Sequence, residues 1–159
     1  MKAVTIKKIK DELKHRTTSE LMELCLHLSK FKKENKELLT YLLFEVENEE
    51  RFIETVKEEM DELFDEINTK NYYYIRKSAR KILSGTKKNI RYSKKKETEV
   101  QLLLHFCKKL KELKPSISRS TQLQNVFNRQ LIMAENALNK LHEDLQFDYQ
   151  FELDIIKNN

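Results

Sequence analysis

Arg51-Phe52-Ile53-Glu54-Thr55-Val56-Lys57-Glu58-Glu59-Met60-Asp61-Glu62-Leu63-Phe64-Asp65-Glu66-Ile67 decides the fold class. Phe52, Ile53, Val56, Met60, Leu63, Phe64 and Ile67 recur at intervals of three and four residues, the spacing that gathers side chains on one side of a helix. A half-buried strand would alternate every second residue instead. The same spacing recurs through most of the chain. With one Gly and one Pro in 159 residues, there is almost nothing to make the φ > 0 turns of hairpins and β-sandwiches. The expectation is an all-α fold, a compact helical bundle or short αα-superhelix of about seven helices.

Upstream of this stretch, the polar run Glu47 to Arg51 omits one apolar turn, so residues 36–67 read as two helices with one long helix as the alternative. A first helix covers Val4 to His15. Thr17 and Glu20 have capping-box spacing and open a second helix over Thr18 to Lys33. Its stripe of Leu21, Leu24, Cys25, Leu28 and Phe31 is widened by Met22 and Leu26, which predicts neighbours on more than one side. Asn35 reads as the cap of a third helix carrying Leu38, Leu39, Leu42, Leu43 and Val46, also expected to be central. Downstream, a helix over Asn71 to Ser93 presents Ile75, Ala79, Ile82, Leu83, Thr86 and Ile90 inward, with Gly85 weakening or ending it. A sixth helix opens near Thr98, buries Val100, Leu103, Leu104, Cys107 and Leu110, and ends at Pro115. Residues 116–120 form a loop, and a long seventh helix runs through Leu145.

The length suits one domain. It is placed at residues 1–144, followed by a C-terminal amphipathic tail at 145–159. In that tail Leu145, Phe147, Tyr149, Phe151, Leu153 and Ile155 alternate with polar residues, a strand signal, while Leu145, Tyr149, Leu153 and Ile156 also make a helical stripe. A lone strand would lack a partner for its backbone, and a helix would leave Phe147, Phe151 and Ile155 on a second face needing cover. Either way the tail is expected to dock on the body or on a second copy.

No apolar run approaches the roughly 20 residues of a membrane span. The first residues become charged where a secretory signal would begin its apolar stretch, so the expected location is cytoplasmic. Cys25 and Cys107 sit among apolar residues and read as reduced core thiols.

Residues 30–45 (KFKKENKELLTYLLFE), 72–77 (YYYIRK) and 91–100 (RYSKKKETEV) resemble a family of small, uncharacterised bacterial all-helical proteins of unknown function. The resemblance implies a bacterial origin and supplies no activity or functional residue.

Charge is partitioned along the chain. Glu45 to Ile67 holds eleven acidic residues against Arg51 and Lys57, and Asn68 to Lys96 holds eleven basic residues and no acidic one. Arg76, Lys77, Arg80, Lys81, Lys87, Lys88 and Arg91, with Tyr73, fall opposite the Ile75/Ile82/Ile90 stripe. They form a candidate anion- or partner-binding face, suited to nucleic-acid phosphates with an aromatic ring for stacking. The alternative needs no ligand: the acidic and basic blocks pack side by side in an antiparallel hairpin. A net charge of +5 is modest for a nucleic-acid binder.

Catalytic and metal motifs are missing. Cys25-Leu26-His27 and His105-Phe106-Cys107 place their polar residues two apart, on nearly opposite sides of a helix, so no metal site is expected. Glu12 and His15 have the E-x-x-H spacing of di-iron bundles without the other carboxylates such a centre needs. No Gly-rich phosphate loop or nucleophile elbow occurs, and no cofactor is expected. The reading is therefore a non-enzymatic helical protein-interaction module whose partner is another protein or a second copy, with no membrane partner. The alternative is a nucleic-acid-binding protein using the basic face at 71–93.

Overall fold

A computed structural model describes residues 1–158 and contains eight α-helices, with no strand among the described residues. They are α1 (Ile6–Leu13), α2 (Thr18–Phe31), α3 (Lys33–Thr40), α4 (Glu49–Asp65), α5 (Tyr72–Ser93), α6 (Lys96–Glu112), α7 (Thr121–Leu138) and α8 (Glu143–Asn158). A π-helical turn spans Tyr41–Glu45 and a 3-10 turn spans Ile117–Arg119. The expected all-α class is what the chain adopts. The chain divides into two units, Met1–Phe44 and Glu45–Asn159.

The second unit is built around α6. Leu102, Leu103 and Leu104 are at most 1% exposed although they follow one another directly. Successive helical residues advance by about 100°, so three in a row require cover around most of the circumference. That cover comes from α4, α5, α7 and α8, each of which packs on α6. Met60 and Phe64 of α4 enter the shared core with Ile75, Ala79 and Ile82 of α5, Leu123, Leu131, Ala134 and Leu138 of α7, and Leu153 and Ile156 of α8. The Phe64 and Phe106 rings meet at 5.6 Å in a tilted arrangement.

Hydrogen bonds fix the directions of these helices. Glu49, at the start of α4, meets the Ser93 hydroxyl at the end of α5, so the two helices are antiparallel. The Lys57–Gln101 contact at 2.9 Å and the Asp61–His105 contact at 2.6 Å hold α4 and α6 in the same sense. Asn48 and Asn71 cap α4 and α5 by accepting from the backbone N–H of Arg51 and Tyr74. Gly85 does not end α5, which runs on to Ser93. Lys94 then adopts a left-handed φ of 60°, and its N–H donates to the Ile90 carbonyl at 2.9 Å.

The seventh helix is shorter than its periodicity suggests. It stops at Leu138, and the N–H groups of Asn139 and Lys140 close a turn on the Glu135 and Ala137 carbonyls. The chain restarts as α8, so the C-terminal stretch is helical rather than extended. Leu153 and Ile156 are buried, and Tyr149 donates its hydroxyl to Glu97 at 2.8 Å.

In the first unit, Thr17 and Glu20 form the reciprocal capping box. The Thr17 N–H donates to Glu20 Oε2 at 2.7 Å, and the Glu20 N–H donates to Thr17 Oγ1 at 3.3 Å. These bonds from the Thr17 backbone and side chain hold the Glu20 carboxyl below its ordinary value. α3 begins earlier than expected, after Lys32, and Asn35 donates its amide to the Leu28 carbonyl at 2.8 Å instead of capping.

The expected central role of α2 and α3 is not realised. No residue of α1, α2 or α3 is buried, and Tyr41 is the one buried residue of the unit. Cys25, expected in the core, is exposed on α2. An apolar stripe records that a helix needs cover, not that its own chain supplies it. Among the described residues, no helix is long and apolar enough to cross a membrane.

Candidate interaction surfaces

The basic face of α5 is solvent-facing, as its spacing requires. Ile75, Ala79, Ile82 and Thr86 are buried on one side of the helix. On the other, Lys77, Arg80, Lys81 and Arg91 are exposed and Arg76, Lys87 and Lys88 are partly so. Tyr73 is exposed on the same face, edge-on to Tyr74 with ring centroids 5.5 Å apart. Among the described residues, no ion pair engages Arg76, Lys77, Arg80, Lys81, Lys87 or Arg91.

Two carboxylates of the acidic block, Glu49 and Asp61, pair with α6 or its leading turn. Glu49 is joined by the hydroxyls of Ser93 and Thr98, the latter at 2.5 Å, and by the Lys95 ammonium at 3.0 Å. Asp61 receives His105 at 2.6 Å and Lys109 at 3.5 Å, both from α6. Partial burial works to raise the Asp61 carboxyl, but the hydrogen bond and charge of His105, with Lys109 behind them, hold it below its ordinary value. The antiparallel α4–α5 hairpin is present, and Glu49 and Asp61 also pair with Lys95 ahead of α6 and with His105 and Lys109 within it.

Two further surfaces are apolar. On α2, Met22, Leu24, Leu26, Leu28 and Phe31 are all exposed, and these positions spread around the helix rather than along one stripe. A helix apolar on several sides is ordinarily buried, so α2 as it stands presents an uncovered surface. On α8, Phe147 is 80% and Phe151 70% exposed, with Ile155 next along the same face. Asp148, Gln150 and Asp154 join the two phenylalanines around an open hollow of about 360 Å³. A neighbouring groove of about 670 Å³ lies between α8 and α6, where Phe151, Ile155 and Ile156 face Lys108, Lys111 and Glu112.

The sequence singled out the α5 face and the second face of the tail, but not α2 as a surface. Its signal was the width added by Met22 and Leu26, which reads equally well as burial. The two cysteine–histidine pairs are separated by burial as well as by sequence: Cys25 is exposed on α2, whereas Cys107 lies inside α6 and His105 is occupied by Asp61. The chain matches no protein-family model, no curated protein and no solved structure.

Proposed function

We propose that this chain is a non-enzymatic helical interaction module whose ligand is another protein chain. The observation that carries the reading is α2, whose apolar residues occupy several sides of the helix while none is buried. Such a helix gains stability only when something covers it; fully burying one Leu contributes about 1.5–3 kcal/mol. A cytoplasmic location and a bacterial origin go with this proposal and rest on the sequence alone. Co-purification of the tagged chain from its native cell provides the test. Recovery of bound protein is expected to fall roughly tenfold or more with Leu24→Glu/Leu28→Glu, a change at exposed positions that leaves the far-ultraviolet dichroism intact. Equal recovery by both chains would remove the reading.

A second reading is supported by the α5 face, where six cations carry no ion pair among the described residues beside an exposed Tyr73. It makes the module a nucleic-acid binder. Titration with duplex and single-stranded nucleic acid at two salt concentrations separates the two. Tight binding that weakens steeply with salt and is lost in Arg76→Glu/Arg80→Glu would favour phosphate recognition.

A further inference from the structure

Two exposed stripes are uncovered within the chain that carries them, and they match. On α1, Ile6, Ile9 and Leu13 are 79%, 41% and 39% exposed, at the three- and four-residue spacing of one helix face. Lys7 and Lys10 line one flank of that stripe, while Lys14 is paired with Asp11 at 2.9 Å. On α8, Phe147, Phe151 and Ile155 are 80%, 70% and 43% exposed at four-residue spacing. Asp144 and Asp148 follow one flank of this second stripe and Asp154 the other, all exposed. At ~1.5 Å of rise per residue, the two stripes run for about 10 and about 12 Å.

Resting on the interaction reading above, we propose that α1 of one copy docks along the α8 stripe of a second copy. The contact is an amphipathic helix laid on an aromatic surface, with Ile6, Ile9 and Leu13 as anchors. Charge selects this pairing over the symmetric ones. Placing α8 against another α8 brings aspartates together around the phenylalanines, and placing α1 against another α1 brings Lys7 and Lys10 together. α1 against α8 sets ammonium groups beside carboxylates. An anionic lipid surface also suits a basic amphipathic helix, but it repels the aspartates that flank Phe147 and Phe151.

Sedimentation velocity on the full chain, from low to high micromolar concentration, tests the docking. The expected result is a mass that rises with concentration, and an association weakened roughly tenfold or more by Phe147→Asp/Phe151→Asp. Lys7→Glu/Lys10→Glu is expected to weaken it as well. Adding Asp144→Lys/Asp148→Lys to that chain is expected to restore it, which a merely structural role for these groups would not do. A chain that stays monomeric throughout overturns the proposal, as does association that ignores both sets of substitutions. Binding of the monomer to phosphatidylglycerol-containing vesicles, lost in Lys7→Glu/Lys10→Glu, overturns it in favour of lipid. If self-association fails while Leu24 and Leu28 still govern co-purification, the interaction module stands and only the second copy is lost.

Discussion

Cys25 and Cys107 both lie among leucines in the sequence and end in opposite surroundings. Cys107 is buried in α6 beside the Phe127 carbonyl, and burial pushes its thiol up to about 12, whereas Cys25 is exposed on α2. Only the thiolate attacks an alkylating reagent. Iodoacetamide at mildly alkaline pH is therefore expected to modify Cys25 and spare Cys107, as read by peptide mass; equal labelling would contradict the buried position. Asp61 makes a prediction about pH. Its carboxyl is depressed in the folded chain, so its contribution is present above the unfolded value and is lost as pH falls through the folded one. The side chain is 42% exposed, so solvent screens the pair and its worth is about 0.5 kcal/mol or less. Asp61→Asn is expected to lower stability slightly at neutral pH and to leave it unchanged in acid, as measured by urea unfolding at several pH values. Gly85 has nothing within 4 Å of where a Cβ would stand and lies inside α5. Gly85→Ala is expected to raise stability by about 1 kcal/mol in the same assay, because alanine loses less backbone freedom in a helix.

At the scale of the elements, Leu103 and Leu28 illustrate what helical periodicity carries. Both fall on a three-four stripe, but Leu103 is 0% and Leu28 58% exposed. Leu103→Ala is expected to cost about 2–5 kcal/mol through the cavity it leaves, and Leu28→Ala to change stability by about 0.5 kcal/mol or less. Urea unfolding of the isolated chain measures both; a large loss from Leu28→Ala would mean that α2 is covered after all. Spacing therefore announced that these residues are helical without announcing which helices find cover. The break at Asn48 was legible because an apolar turn is skipped there and an asparagine stands ready to cap. The break after Leu138 was not. Residues 139–142 contain neither Gly nor Pro, and Leu141 continues the helical period in phase across the turn. The consecutive leucines at 102–104 signalled a helix enclosed on several sides, and reading a single stripe there missed Leu102 and Phe106.

At the scale of the whole molecule, the division into two units was hidden because no Gly-, Pro- or Ser-rich linker marks it. The chain passes from one unit to the next through the π-helical turn, where Leu42 and Leu43 read as part of a central helix. The charge partition was legible in the sequence, but the pairing of Asp61 with His105 and Lys109 of α6, and of Glu49 with Lys95 ahead of α6, was not. The solvent-facing side of α5 followed from period alone and the second face of the tail from its phenylalanines, while the surface of α2 became a candidate only once its exposure was known. The unit at Met1–Phe44 buries one residue, Tyr41, so its helices hold few contacts that would resist local opening. Hydrogen exchange on the dilute, isolated chain, followed peptide by peptide, measures this directly. The amides of α2 are expected to exchange far faster than those of α6, and to become protected when the chain is concentrated or its partner is added. An α2 as slow to exchange as α6 in the dilute chain would contradict the interaction module, because the helix would then have all the cover it needs.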